Sequence, residues 1–192
     1  RTRFERLPLS YAQERLWFID QLEPDSAGYN VPAAVSIRGE LDGDEIDRAL
    51  NLIIARHEPL RTLFPTEEGR ARQQILEHME FGLERIDLSG REEGEREALA
   101  RSLCQADAVR PFDLGRGPLM RGKLIKLTED EHILMLNMHH IISDGWSIGV
   151  LINELRTITE AFRQGREPEL PALPVQYADY SIWQRKWLEE GG

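Results

Sequence analysis

The chain has 192 residues, enough for one domain with a sizeable core. With 24 basic and 34 acidic residues its formal charge is −10, which argues against nucleic acid or an anionic membrane as the main partner. A single cysteine, Cys104, excludes a disulfide framework and a paired-cysteine metal site. No apolar run reaches the ~20 residues of a membrane span, and no leader pattern opens the chain, so a reducing cytoplasm is the expected location.

Arg1–Arg6 is a basic lead-in without periodicity. Ser10-Tyr11-Ala12-Gln13 has the form of a capping box and predicts a helix over Tyr11–Leu22, with Leu16, Trp17, Ile19 and Leu22 as its apolar face. Pro24 stops it. Tyr29–Arg38 reads as a strand, and Pro32 inside it predicts an edge or a bulge. Asp42 then caps a helix running to Arg56-His57, with Ile46, Ala49, Leu50, Ile53 and Ile54 at helical spacing.

Leu60–Phe64 and Ala71–Leu76 flank the turn at Thr66–Gly69 and predict a hairpin; Phe81–Ile86 is a weaker strand candidate. Gly90–Val109 predicts a charged helix with Leu99, Leu103 and Ala106 inward, its charges a solvated face. Leu119–Leu127 alternates as a half-buried strand does, and Glu129-Asp130-Glu131 turns it back into a strand over Ile133–Met138. A helix from Trp146 to Arg163 ends near Gly165, and Gln176–Leu188 forms a short helix with Tyr177, Tyr180, Trp183 and Trp187. Helices and strands alternate without strict βαβ order. The expected class is α/β, a mixed-sheet sandwich with flanking helices, in preference to a doubly wound parallel fold.

The chemistry-bearing stretch is His139-His140-Ile141-Ile142-Ser143-Asp144-Gly145-Trp146-Ser147, a loop between a strand and a helix. His139, His140 and Asp144 are good zinc ligands by type, but neighbouring strand residues point to opposite faces and do not converge easily on one ion. Ser143 and Ser147 lie close by without a G-x-S-x-G elbow. A third option is one histidine acting on substrates that carry their own nucleophile, with Asp144 paired to an arginine. Gly145 would then permit special backbone geometry and turn its amide toward developing negative charge. The residues alone leave open the plainer alternative, two histidines merely hydrogen-bonded at a strand end.

That stretch matches the H-H-x-x-x-D-G motif of the condensation domains of nonribosomal peptide synthetases and of chloramphenicol-acetyltransferase-like relatives. Three further segments resemble condensation signatures: Ser10–Phe18 (S-x-A-Q-x-R-L/M-W/Y), Arg56–Phe64 (R-H-E-x-L-R-T-x-F) and Tyr177–Gln184 (Y-x-D-Y-A-x-W, with Ser181 where alanine is usual). They occur in the family's order over nearly the whole chain. The resemblance implies that residues 1–192 form the N-terminal lobe of a two-lobed domain, without its C-terminal lobe; Arg1 in place of a methionine and the Glu189–Gly192 tail fit an excised piece.

It further implies amide formation between a carrier-bound donor acyl or peptidyl thioester and the amino group of a carrier-bound aminoacyl thioester, the isolated lobe being inactive. The rivals are an epimerisation-type domain, a trimeric stand-alone acyltransferase and a non-catalytic carrier-docking lobe. His140 is implied as the catalytic residue, either a base or a positioning group for the amine. His139 is implied as inward-facing scaffold, and Asp144 as structural, salt-bridged to Arg61 or else to Arg56. Gly145 and Trp146 shape the loop's mouth beside Ser147. The aromatic motif residues, Trp17, Phe18, Tyr177, Tyr180 and Trp183, are expected mainly as packing. The family needs no directly bound cofactor and no metal; phosphopantetheine arms of upstream and downstream carrier proteins bring the substrates. The C-terminal lobe and an adjacent adenylation domain are the further expected partners.

Overall fold

A computed structural model describes residues 7–189; the basic lead-in Arg1–Arg6 and the end of the acidic tail lie outside them. Helix α1 (Tyr11–Leu22) starts at the expected capping box. Ser10 Oγ accepts from the Gln13 amide at 3.2 Å, while Gln13 Oε1 accepts from the Ser10 amide at 3.0 Å. Only Leu16 on its apolar face is buried; Trp17 is half-buried, whereas Phe18 and Leu22 are exposed. The apolar face is thus narrower than the sequence suggests.

Strand β1 (Asn30–Arg38) leads to α2 (Gly43–Arg56), capped by Asp42. A 3-10 turn, Glu58–Arg61, follows α2 and takes up Leu60 and Arg61, so the expected strand there shortens to β2 (Thr62–Leu63). Pro59 at the start of that turn favours the tight helical geometry over an extended one. Two short ladders make the hairpin: β3 (Thr66–Glu67) with β4 (Arg70–Ala71), and β2 with β5 (Gln74–Ile75). Next come β6 (Glu84–Asp87), α3 (Glu93–Ala108), β7 (Met120–Thr128), β8 (Glu131–His139), α4 (Gly145–Arg163) and α5 (Tyr177–Glu189).

The central sheet is mixed, in the order β1-β8-β7-β6, with β6 parallel to β7 and the other pairs antiparallel. Pro32 lies in an edge strand, where its missing N–H leaves no ladder bond unmade. One face carries Met120, Leu124, Leu134, Leu136 and Met138, packed with α2 and α4 through Leu50, Ile53, Ile54, Leu151, Leu155 and Ile158. Each such buried side chain contributes roughly 1.5–3 kcal/mol. Where Gly122 sits, a Cβ would lie 2.5 Å from Leu83 and 2.8 Å from Leu136, so only glycine lets those side chains close over the sheet.

The other face meets α3, through Ala100 packed with Ile125 and Leu127. This corrects two expectations. Ala106 faces solvent, and Asp107 takes the inward position. The alternation of β7 does not mark a half-buried strand: Arg121 and Lys123 are largely covered too, because Asp107, joined by Glu84 at Lys123, supplies the charge they require. Its carboxylate lies 3.5 Å from Arg121 Nε and 3.8 Å from Lys123 Nζ, and Asn137 Nδ2 on β8 donates to its main-chain carbonyl at 2.8 Å.

Helix α5 also departs from expectation. Tyr180, Trp183 and Trp187 are exposed and form a row at successive centroid distances of 5.9 Å, the Trp pair stacked and Tyr180 tilted against Trp183, with Tyr177 next in line at 5.5 Å from Tyr180. They do not fill a core. Tyr177 instead ties α5 to α1, its hydroxyl 3.0 Å from Ser10 Oγ; Arg185 adds a bond to the Leu9 carbonyl and an ion pair with Glu14. No helix among the described residues is long and apolar enough to cross a membrane.

Candidate active site

Strand β8 ends between two neighbours, and this fixes the histidines. The His139 amide donates to Leu119 O at 3.0 Å beside β7; the His140 amide donates to Tyr29 O at 2.8 Å beside β1. His139 follows Asn137 on the α3 face of the sheet and is buried, its ring 6.4 Å from that of Tyr29 and edge-on to Phe112 at 6.3 Å. The Ile141 amide donates to its Nδ1 at 3.1 Å, so the ring proton sits on Nε2. Burial, and secondarily the neighbouring His140, push its pKa down to about 4. His139 is therefore a neutral scaffold group at physiological pH.

His140 is exposed and has the opposite tautomer. Its Nδ1 lies 2.6 Å from the Ser143 carbonyl oxygen, and a carbonyl only accepts, so Nδ1 carries the proton. Nε2 is left with its lone pair and no protein partner among the described residues. Ser143 Oγ and the Ile142 amide both return to the His139 carbonyl, at 3.4 and 3.1 Å, which tightens the turn that presents the ring. The two histidines diverge, one into the core and one outward. Among the described residues no group of three or more His, Cys, Asp or Glu side chains is placed to hold a metal ion.

His140 lines an open cavity of about 280 Å³ with Gln13, Arg15, Tyr29, Asp144 and Tyr177. Gln13, buried at the capping box, also reaches the Ile141 carbonyl at 3.5 Å. The first signature marks Gln13 only as a helix cap. That it faces the histidine loop follows from the packing of α1 against that loop, which no local pattern encodes. Phe112 and Arg121 also escape sequence reasoning: Arg121 lies over the Phe112 ring at 3.7 Å, behind His139, and sequence offers only a charge in a strand.

The expected ion pair of Asp144 is absent. Its carboxylate caps α4, accepting from the Ser147 amide at 2.8 Å and the Ser147 hydroxyl at 2.7 Å, and these bonds, led by that from the hydroxyl, hold its pKa below the usual carboxylate range. Ser147 thus supports the site through Asp144. Neither Arg61 nor Arg56 reaches Asp144. Arg61 donates to the Leu76 carbonyl. Arg56 pairs at 3.1 Å with Glu154, a buried carboxylate of α4 that also holds His57 Nε2 at 2.7 Å. The arginine of the second signature does bind α4, but well downstream of its N-cap.

Gly145, the first residue of α4, differs from expectation as well. A Cβ there would meet nothing within 4 Å, and its φ lies outside the left-handed region, so no backbone demand requires glycine. With Asp144 satisfying the Ser147 amide, and the Trp146 amide also bonding to it, the Gly145 amide has no protein partner among the described residues. Trp146 is 83 % exposed and stands away from the His140 cavity, on the rim of a neighbouring one.

A strand end of the mixed sheet thus presents one imidazole nitrogen, without a partner among the described residues, to an open cavity. The chain belongs to the condensation-domain family of nonribosomal peptide synthetases: the family model described as Condensation domain matches residues 4–191. It is 50 % identical over 187 residues to a linear gramicidin synthase polypeptide of Brevibacillus parabrevis, covering 97 % of this chain and 2 % of that protein. It is 44 % identical to phosphinothricin tripeptide synthetase PhsC of Streptomyces viridochromogenes, covering 96 % and 17 %.

Among solved structures, the first condensation domain of the calcium-dependent antibiotic synthetase, in complex with a substrate analogue, superposes with a TM-score of 0.86 at 29 % identity, covering 97 % of this chain and 44 % of that one. The X-domain of teicoplanin biosynthesis in complex with OxyB gives 0.84 at 34 %, covering 98 % and 40 %. The chain therefore spans less than half the length of these solved relatives and a small part of the curated ones. The fold is theirs, a chloramphenicol-acetyltransferase-like mixed sheet with flanking helices.

Proposed function

We propose that residues 1–192 are the N-terminal lobe of an amide-forming condensation domain, and that His140 is its catalytic residue. The observation that carries this is the His140 tautomer, Nδ1 committed to the Ser143 carbonyl and Nε2 open in a cavity. Two carrier proteins bring the substrates on phosphopantetheine arms, and a second lobe supplies the opposite wall of the site. The acceptor's amino nitrogen attacks the donor's thioester carbonyl carbon. A tetrahedral intermediate forms, the C–S bond breaks, and the donor carrier leaves as a thiol.

An α-amino group with a pKa of ~7.7–8.0 is partly neutral before attack. His140 Nε2 then accepts a hydrogen bond from the amine, orients it, and takes the proton that becomes acidic once the N–C bond exists. The Gly145 amide, at the positive end of α4, is the local donor for the oxyanion. His139 and Asp144 hold the loop.

The test is a peptide-bond assay with loaded carriers on the two-lobe protein. His140→Ala should lower kcat by roughly 10²–10⁴-fold, while this lobe by itself forms no product. Likeness to a domain solved together with OxyB favours a second reading, a lobe that only docks partners. An unchanged rate in His140→Ala would remove His140 as the catalytic residue, whereas a wild-type two-lobe protein that binds loaded carriers but forms no product would support the second reading.

A further inference from the structure

Beside the His140 cavity lies a second one of about 230 Å³, set between α2, the 3-10 turn and the first two turns of α4. We propose that this slot receives the apolar side chain of a carrier-bound aminoacyl or acyl thioester and selects the substrate by it. The proposal rests on the amide-forming reading above, since that reading places the thioester at His140.

Position is the first argument. Pro59, Ile142, Ser143 and Ser147 line both cavities, so one layer of residues separates the slot from the space in front of His140. Size is the second. At 230 Å³ the slot is smaller than the ~300–1,000 Å³ of sites that enclose a whole small-molecule ligand. It fits part of a substrate whose remainder lies elsewhere, as a side chain beside a tethered thioester does.

Chemistry is the third. Ile53, Leu60, Met138 and Leu151 give a buried apolar wall, and among the described residues His57 is the one ionisable group lining the slot. Its Nε2 is engaged by Glu154, and Glu154 is engaged in turn by Arg56. A charged substrate side chain would be desolvated there without a free counter-charge, which is strongly unfavourable; an apolar one loses nothing. Trp146, exposed on the rim, presents an indole face that such a side chain would cover.

The experiment uses the two-lobe protein and carriers loaded with leucyl or glycyl groups, varied first on the donor and then on the acceptor. Val150 lines the slot and is 37 % exposed, so Val150→Phe can fill the slot without breaking the core. The leucyl-to-glycyl ratio of kcat/KM should fall roughly tenfold or more on one of the two carriers, and the carrier affected identifies whose side chain enters. Trp146→Ala, at a still more exposed position, should lower the same ratio and decides the matter if Val150→Phe does not fold. Val109→Phe, 69 % exposed beyond the end of α3, serves as the control and should leave both ratios at wild-type values.

Ratios unchanged on both carriers in both slot variants would overturn the slot while leaving amide formation intact. A wild-type protein that joins no pair at all would overturn the reading beneath it.

Discussion

His139 carries a stability cost that is readable in its titration. In the unfolded chain the imidazole takes up a proton as pH falls through 6.5, whereas the folded protein resists until about 4. The unfolded state binds more protons in that window, so stability is complete above pH 6.5 and is lost toward pH 4. The full loss is on the order of 3 kcal/mol. Urea unfolding at pH 7 and at pH 5 should show wild type losing about 2 kcal/mol more than His139→Gln. Equal losses would mean that the ring is not buried as a neutral group.

The carboxylates separate in a similar way. Asp144→Ala removes an exposed helix cap and should cost about 0.5–2 kcal/mol. Glu154→Ala strands Arg56 and His57 against α4 and should cost roughly 3–5 kcal/mol. Chemical denaturation of the two variants, side by side, checks the order. Sequence points to Asp144 for the buried pair, because the motif places an acid in the loop; Glu154 looks like any charge on a helix.

At the scale of elements, α3 depends on one acid. Asp107→Ala would leave the part-buried Arg121 without its carboxylate partner, while Lys123 keeps its ion pair with Glu84, a loss of roughly 3 kcal/mol. Amide hydrogen exchange over 93–108 should speed up more than that of α2. Unchanged protection there would show that α3 is held by Ala100 and its apolar neighbours alone.

Elements with their own local signals are legible in the sequence: α1 through Ser10 and Gln13, α2 through Asp42 and its apolar period, the edge strand β1 through Pro32. In the site, the inward and outward roles of His139 and His140 follow from strand alternation plus family resemblance. What is not legible depends on partners remote in sequence. Arg121 looks solvent-facing until Asp107 is placed beside it, and Tyr180 looks like core until no element is found to cover it.

At the scale of the molecule, the described residues form a sheet with both faces covered and the His140 cavity at one end of it. The His140 cavity draws on α1, the 3-10 turn, the β8 loop and α5. No pair of neighbouring elements could make it alone. The row of aromatics on α5 and the exposed Trp146 leave considerable apolar surface around that end.

The clasp between Ser10 and Tyr177 spans 167 positions. On a ribosome adding about 5–20 residues per second, α1 would wait roughly 10–30 s for the helix that completes it. Closing so long a loop brings its reward only after the sheet has formed. Tyr177 also lines the His140 cavity. The nascent chain would therefore acquire its sheet early and the cavity in front of His140 only once α5 has emerged.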